Sequence, residues 1–268
     1  MVMHRADSDA WPESWLIADW PAPTNVRAVC TSREGGVSTA PFDALNLGLH
    51  VGDRESDVLQ NRQRLALWLG TRPVFMEQVH GSCLLDLGRT TLEKAGVPQA
   101  DAAVSRQVGQ ACTIMVADCL PVLMCSADGQ TVAAAHAGWR GLLGRQGFGV
   151  LESMVQGVRQ SSPGQDQWLV WLGPCIGPEA FEVGDDVRDA FIGQCKTASD
   201  HFQPLSRGKW LADLPSLARD RLMSMGLTAL YGNDGSRAWC TVHNPSRFFS
   251  HRRDRVSGRL AAAIWRVA

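Results

Sequence analysis

The sequence predicts a single α/β domain (mixed α+β) in which helices flank a mixed β-sheet core. Its 268 residues suffice for one large or two ordinary domains, and no repeat or low-complexity linker divides them. Short apolar runs bounded by Asp, Pro or Gly are interspersed with segments of helical periodicity. Several hairpin signals favour a mixed sheet over a strictly parallel one.

The composition excludes several classes of protein. With 26 Lys+Arg against 27 Asp+Glu, the formal charge is −1, which argues against a nucleic-acid binder held by bulk charge. No run of about 20 apolar residues is present to span a membrane. Eight cysteines are too few for a disulfide scaffold, and the first twenty residues contain acidic side chains rather than an apolar signal core. We therefore expect a cytoplasmic protein with reduced thiols.

The chain is predicted to begin with an irregular segment, residues 1–25, that docks through the indoles of Trp11, Trp15 and Trp20. Residues 26–268 would form the main domain. No further boundary is indicated by the composition.

Regular structure is expected to start with a strand at residues 26–31. A helix capped by Asp53 or Ser56 follows, because apolar residues recur at helical spacing up to Leu69. Residues 74–87 are apolar with a central Gly-Ser break, which predicts two short strands in a hairpin.

The middle of the chain is the most apolar part and predicts buried strands. They are residues 113–117, 122–125, 131–135 and 168–172. Residues 142–158 predict a helix, although each of its four glycines costs about 1 kcal/mol relative to alanine.

The last third predicts a helix that begins at an Asp213 cap and ends at Gly226. Residues 248–265 fit either a hairpin around residues 255–258 or a strand and a helix. The hairpin is favoured.

Three residues near the middle could bind a metal, because each stands at the end of an apolar run. They are His80, Cys119 and His136. Zn²⁺ accepts imidazole nitrogen and thiolate sulfur, and three protein ligands with an open fourth position are typical of catalytic sites. No short ligand pair such as CxxC occurs, so spacing alone leaves open that these residues only fill the core.

Polar residues nearby suggest an anion site. Arg140 follows a small-residue turn that leads into a helix, so its guanidinium and backbone N–H groups could face a phosphate, or the arginine could be solvated. Asp118 needs a cation or hydrogen bonds if it is buried beside Cys119. Arg33 and Asn46 could contact a polar ligand or be ordinary turn residues.

Two further features are left open. Cys175 lies in a Gly/Pro loop and is either a buried thiol or a reactive one. The run from His251 to Asp254 reads as a solvated face with ion pairs, although an arginine of the pair Arg252-Arg253 could reach an anionic substrate. Neither GxGxxG nor GxxxxGK[ST] occurs, which argues against nicotinamide and P-loop nucleotide chemistry.

Nine short motifs occur in order along nearly the whole chain. They are Arg33–Ser38, Leu45–Gly48, His50–Asp53, Gln78–Gly81, Ala117–Val122, His136–Gly141, Gly173–Pro178, Ser250–Asp254 and Gly258–Arg259. Together they resemble the YfiH-like family, whose members are called laccase-domain proteins, polyphenol oxidoreductases, purine nucleoside phosphorylases or peptidoglycan editing factors. The resemblance implies a YfiH-like catalytic domain over residues 26–268.

The resemblance also implies zinc bound by His80, Cys119 and His136, and phosphorolysis of adenosine, inosine, guanosine and methylthioadenosine with inorganic phosphate as co-substrate. The same family is credited with adenosine deamination. On this basis the hypothesis gives Arg140 the phosphate. It gives Arg33 and Asn46 the ribose or base, and Asp118 the orientation of the metal cluster.

Two other enzymes and a binding module remain as alternatives. A metal-free cysteine hydrolase or amidase would act on a peptidoglycan precursor, with Cys119 as nucleophile and His136 or His80 as base. A laccase-like copper oxidoreductase is less attractive, because one His₂Cys cluster lacks the further histidines of a multi-copper relay. In a non-enzymatic module, the three residues would form a structural site.

The chain departs from the family pattern at several positions outside the three predicted ligands. Phe42 and His251 stand where tyrosine is common, and residues 179–181 lack a cysteine often found there. Arg255 stands where a glycine often follows the Arg-Arg-Asp run. These departures bear on substrate preference.

Overall fold

The computed structural model describes residues 11–89 and 97–268. Two β-sheets face each other, and helices cover the outer face of each. The predicted single α/β domain with mixed sheets and flanking helices is confirmed. Among the helices of residues 11–89 and 97–268, none combines the length and the hydrophobicity that a membrane span requires.

The strands and helices are as follows. The strands are β1 (Leu16–Ile17), β2 (Val26–Cys30), β3 (Arg72–Val74), β4 (Leu84–Asp86), β5 (Ala102–Ser105), β6 (Gln110–Val116), β7 (Leu120–Ser126), β8 (Val132–Ala137), β9 (Trp168–Leu172), β10 (Glu182–Gly184), β11 (Phe202–Ser206), β12 (Lys209–Ala212), β13 (Leu230–Gly232) and β14 (Leu260–Arg266). The helices are α1 (Glu55–Leu69), α2 (Trp139–Leu143), α3 (Val150–Ser161), α4 (Asp185–Gln194), α5 (Leu214–Ser224) and α6 (His251–Asp254).

The first large sheet has the strand order β1-β2-β14-β6-β3, and only its β3–β6 pair is parallel. The second has the order β13-β9-β7-β8-β5-β4, with parallel pairs at both edges. A small antiparallel sheet, β10-β12-β11, lies beside them.

Strand β14 shows why the central strands are apolar throughout. Leu260 and Ile264 belong to the core between the two large sheets, where Leu123 of β7 also lies. Trp265 points to the other face, where it packs with Leu65 of α1. Because successive side chains alternate between faces and both faces are covered, the strand has no solvent side.

The predicted hairpin over residues 74–87 is wrong. Strand β3 pairs in parallel with β6 in one sheet, and β4 pairs in parallel with β5 in the other. The connection between them crosses from sheet to sheet, so the Gly-Ser break lies in a loop and not in a tight turn.

The single helix predicted over residues 142–158 is also wrong. The chain forms α2 and α3 with a loop between them, where Gly144 and Gly147 have φ of 64° and 79°. Glycine adopts this left-handed region without steric cost, so these residues interrupt the helix.

The C-terminal hairpin is replaced by helix α6 followed by strand β14. Ser250 caps α6 by accepting a hydrogen bond from the Arg253 backbone N–H. The predicted Asp213 cap of α5 is confirmed, since its side chain accepts from the Ser216 N–H at 3.0 Å.

The predicted cap of α1 is wrong. This helix begins at Glu55 after Arg54 and has no side-chain cap. Asp53 instead accepts hydrogen bonds from Ser38 Oγ at 2.7 Å and Asn46 Nδ2 at 2.9 Å.

The described part of the N-terminal segment lies against the first sheet. Trp15 is buried, and Trp11 has its ring centroid 6.1 Å from both Trp15 and Trp265. Residues 1–10 of the predicted docking segment lie outside the described residues.

We predict that Gly149→Ala destabilises the protein by about 1–3 kcal/mol, because a Cβ atom would lie within 2.6 Å of two backbone oxygens, those of Gly141 and Leu142. Urea unfolding measures the loss. The control is Gly193→Ala in α4, where no atom lies within 4 Å of the added Cβ. Equal stabilities of the two variants would contradict the close contact between α2 and α3.

Candidate metal centre

His80, Cys119 and His136 meet at one end of the central strands of the second sheet. Cys119 directly precedes β7, His136 lies in β8, and these two strands are antiparallel neighbours. His80 lies on the loop between β3 and β4. Their candidate ligand atoms all lie within 4.8 Å of one another, and Cys119 Sγ is 3.7 Å from His80 Nε2. The three residues singled out in the sequence therefore form one cluster.

The carboxylate of Asp101 holds the side chain of His136 and the backbone of His80, and it was not singled out by sequence. It is fully buried directly before β5, the strand that pairs with β8. Its Oδ1 lies 2.8 Å from His136 Nδ1 and accepts the His80 backbone N–H at 2.9 Å. Its Oδ2 accepts the Gly81 N–H at 2.7 Å. One carboxylate thus fixes the His136 ring and the loop that carries His80.

A sequence signal for Asp101 does exist. The residue stands immediately before a buried apolar strand, and a buried carboxylate is costly without hydrogen-bond donors.

Gly138 leaves open space beside the cluster. A Cβ atom at this position would lie 2.8 Å from Cys119 Sγ and 3.0 Å from His80 Cδ2. Its φ of −69° is available to any residue, so glycine is required here for space and not for conformation. The small-residue turn noticed in the sequence therefore keeps side chains away from the candidate ligands.

Electrostatics favour a charged thiol–imidazole pair when no metal is present. Burial raises the pKa of the Cys119 thiol, but the charge and hydrogen bonds of His136 and His80 outweigh it and lower the pKa to about 6. Burial lowers the pKa of His136, but the charges and hydrogen bonds of Cys119 and Asp101 outweigh it and raise the pKa to about 9. At neutral pH the sulfur is therefore a thiolate beside an imidazolium.

The donor set fits a metal ion. Asp101 occupies Nδ1 of His136, which leaves Nε2 as its free nitrogen, and this carboxylate–histidine arrangement is typical of metal ligands. Cys119 supplies a ready thiolate, and His80 a second imidazole. Within residues 11–89 and 97–268, this is the one group of three His, Cys, Asp or Glu side chains close enough to hold an ion.

The cluster lines a cavity of about 400 Å³. One part of the wall is apolar or aromatic and includes Met115, Trp139, Ile176 and Phe181. Another part is cationic and includes Arg252, Arg255 and Arg259. Such a mixture of an apolar wall and a few polar groups is typical of small-molecule sites.

Asp118 lines this cavity but makes no hydrogen bond to a candidate ligand among the interactions of the described residues. Its Oδ1 accepts from Thr241 Oγ1 and its Oδ2 from the Arg252 backbone N–H, both at 2.6 Å. The carboxylate is thus satisfied by a hydroxyl and an amide, and it anchors the start of α6 at the cavity. Asp101 has the place in the cluster that sequence analysis gave to Asp118.

The structure places Arg33 outside the cavity. Its guanidinium donates to the Asp43 and Pro245 carbonyl oxygens at 2.7 and 2.9 Å, and also pairs with the Asp43 carboxylate. It lies over the Phe249 ring, 4.8 Å from the centroid. These contacts join two loops of the chain.

Asn46 and Arg140 also lie outside the cavity lining. Asn46 is fully buried, and its side chain bonds Asp53 and accepts the Arg259 backbone N–H at 2.9 Å. Arg140 is exposed and stacks 4.5 Å from the centroid of Trp139, the neighbour that does line the cavity. Asn46 therefore acts on the cavity only by positioning the backbone of Arg259.

Arg259 is a cavity residue that belongs to one of the sequence motifs but was given no role there. It is half-buried, and its Nη1 donates to the Ser257 and Gly258 carbonyl oxygens at 2.9 and 3.1 Å. No carboxylate within the described ranges forms an ion pair with it, and burial lowers its pKa. A partly buried cation without a counterion favours binding of an anion.

The sequence left open the roles of Cys175 and of the pair Arg252-Arg253. The thiol lies in the core, whereas one arginine of the pair reaches the cavity. Cys175 is fully buried, and burial raises the pKa of its thiol well above the usual range, so it is an unreactive core residue. Arg253 donates to the carbonyl oxygens of Thr241 and Phe248 and pairs with Asp254. Arg252 is the member of the pair that reaches the cavity.

His50 also lines the cavity. Burial, Arg259 and Arg62 lower the pKa of its imidazole, so it is neutral at pH 7. A neutral imidazole offers one hydrogen-bond donor and one acceptor to a ligand.

Comparisons with known proteins agree on one family. Residues 27–267 match the family model described as multi-copper polyphenol oxidoreductase laccase. A protein named purine nucleoside phosphorylase from Pseudomonas aeruginosa is 48% identical over 94% of this chain and 98% of its own length. Purine nucleoside phosphorylase YfiH from Escherichia coli is 45% identical with the same two coverages.

Two solved structures of similar proteins also match this chain over nearly its whole length. The crystal structure of a Neisseria meningitidis protein superposes with a TM-score of 0.87 at 41% identity, covering 96% of this chain and 100% of that one. YlmD from Geobacillus stearothermophilus superposes with a TM-score of 0.80 at 30% identity, covering 95% and 96%.

We predict that iodoacetamide modifies Cys119 of the chelator-stripped protein with a rate that rises with pH through a midpoint near 6. The reason is that the lowered pKa makes the thiolate, the reactive form, predominant above that pH. Peptide mass spectrometry follows the reaction, with exposed Cys195 as internal reference. Zn²⁺ should protect Cys119 but not Cys195, and an unprotected Cys119 would contradict metal binding.

We also predict that Asp101→Asn lowers the affinity for Zn²⁺ by about 10–100-fold, because the His136 ring and the His80 loop lose their charged acceptor. Competition with a chromogenic chelator measures the affinity, and circular dichroism checks folding. Asp118→Asn is the matched control and should change the affinity by only a few-fold. Equal losses would show that Asp101 has no special place at the cluster.

Proposed function

Because the chain belongs to the multi-copper polyphenol oxidoreductase laccase family, in which its relatives are named purine nucleoside phosphorylases, we propose that it is a zinc-dependent purine nucleoside phosphorylase with adenosine deaminase activity. Adenosine, inosine, guanosine and methylthioadenosine would be substrates, with inorganic phosphate as co-substrate. The observation that carries this proposal is the cluster of His80, Cys119 and His136 on the wall of a cavity that also holds three arginines.

Different residues of the cavity would bind the purine and the phosphate. Phe181, Ile176 and Trp139 offer an apolar surface to a purine ring, and neutral His50 offers hydrogen bonds to its polar edge. Arg259, helped by Arg252, would hold the phosphate, whose charge compensates the half-buried guanidinium.

Phosphorolysis joins a phosphate oxygen to C1′ of the ribose while the bond from C1′ to the purine nitrogen breaks and its electron pair goes to the base. Fixed positions for phosphate and purine lower the activation free energy, because the two reactants have already lost their translational and rotational entropy on binding. Zn²⁺, held by the three ligands, would supply Lewis-acid chemistry beside these groups.

The ligand set supports zinc over copper, although the name of the family model mentions copper. Two imidazoles and a thiolate suit Zn²⁺ with an open position. A multi-copper relay needs further histidine ligands, and the described residues contain one three-ligand group. The laccase-like oxidoreductase is therefore the weaker alternative.

A metal-free cysteine hydrolase or amidase acting on a peptidoglycan precursor is the second candidate. It is favoured by the Cys119 thiolate beside His136, whose Nδ1 lies 2.8 Å from Asp101. A nucleophile, a base and a carboxylate that orients the base are what such an enzyme needs. Protection of Cys119 from alkylation by Zn²⁺ distinguishes the two proposals.

The test incubates purified zinc-loaded protein with adenosine, inosine or methylthioadenosine, with and without phosphate, and identifies the products by chromatography. With phosphate we expect the free base together with ribose 1-phosphate, or with 5-methylthioribose 1-phosphate from methylthioadenosine. Without phosphate we expect only inosine and ammonia from adenosine and water. Cys119→Ala should lower kcat/KM by at least about 100-fold, whereas Cys195→Ala, an exposed thiol outside the cavity, should not. A Cys119→Ala variant with full activity would refute the scheme.

A further inference from the structure

Arg255 has an unusual backbone conformation for a residue with a side chain. Its φ is 63° and its ψ −57°, and the Val256 N–H donates to the Asp254 carbonyl oxygen at 2.7 Å across it. This is a γ-turn of the rare, strained kind. Its central position disfavours any residue with a Cβ atom and accepts glycine without steric cost. Arg255 is exposed, and the following Val256 is 51% exposed, so core packing does not account for the side chain.

Arg255 is a lining residue of the cavity, and its guanidinium has no fixed partner. Within the described parts of the chain, no hydrogen bond or ion pair of this side chain is found. The other two cavity arginines differ, because Arg252 donates to the Glu182 carbonyl oxygen at 3.0 Å and Arg259 to two backbone oxygens. Residues with a strained backbone tend to occur at ligand sites and functional sites.

The cavity has more positive charge than one phosphate ion requires. Three arginines line it against a single carboxylate residue, Asp118, which already accepts two hydrogen bonds. The proposed function assigns inorganic phosphate to Arg259 and Arg252, which leaves Arg255, an exposed residue of the lining, without an assigned ligand.

We propose that Arg255 binds a second phosphoryl group, carried by the ligand itself, so that the cavity accepts a purine nucleoside monophosphate. The purine part of this ligand rests on the proposed function, whereas the second anion rests on Arg255. A guanidinium binds a phosphoryl group through paired, charge-assisted hydrogen bonds, and binding supplies the partner that the side chain lacks.

The test measures binding of inosine 5′-monophosphate and of inosine to the zinc-loaded protein by calorimetry without phosphate, so that neither deamination nor phosphorolysis occurs. We compare the parent chain with Arg255→Gly, which removes the guanidinium and suits the φ of 63°, and with Arg255→Lys, which keeps a point charge. Gln146→Gly is the matched control, because it replaces another non-glycine residue of positive φ outside the cavity. The KM for inorganic phosphate in inosine phosphorolysis is measured for each protein.

In the parent we expect tighter binding of the monophosphate than of inosine, and a preference that falls with added salt. Arg255→Gly should reduce the preference about tenfold or more, Arg255→Lys should reduce it less, and Gln146→Gly should leave it unchanged. The melting temperature of Arg255→Gly should not fall below that of the parent.

Three results would overturn the proposal. They are an unchanged preference in Arg255→Gly, an equal loss of both ligands, and a raised KM for inorganic phosphate alone, which would assign Arg255 to the co-substrate. Failure of the proposed function gives a different pattern, because the monophosphate would then still bind through Arg255 while no nucleoside is cleaved.

Discussion

The candidate centre depends on the hydrogen bonds that the buried carboxylate of Asp101 accepts. It holds the His136 ring through Nδ1 and the His80 loop through backbone N–H groups. A buried charge is tolerated only when it is paired and hydrogen-bonded, so the cluster and the carboxylate stabilise each other. The rigid pairing of β5 with β8 sets their distance, and the sheet thereby positions ligands that are far apart in sequence.

The sequence predicted the central strands, the α5 cap and the three candidate ligands, because buried runs and strand ends leave clear patterns. It did not predict where β3 and β4 pair, since periodicity identifies a strand but not its neighbour. Arg259 and Arg255 were missed as cavity residues because nothing local distinguishes an arginine at a cavity from one in solvent. Only the path of the chain after α6 brings them there.

The motif residues Arg33 and Asn46 show how a recognisable pattern can carry structure instead of contact with a ligand. Arg33 joins two loops through carbonyl oxygens, and Asn46 holds the backbone of Arg259 from a fully buried position. Both affect the cavity through the parts of the chain that they fix. A motif therefore indicates that a residue is needed, while its hydrogen bonds decide what it is needed for.

The position of β14 has a consequence for biosynthesis. Strand β2 reaches β6 only through β14, which comes near the opposite end of the sequence. On the ribosome, β2 emerges long before the neighbour that will cover its edge, so an unpaired strand edge persists during translation. Contacts between such distant segments also form slowly. Chaperones that shield open sheet edges are thus expected to matter more for producing this protein than for maintaining it.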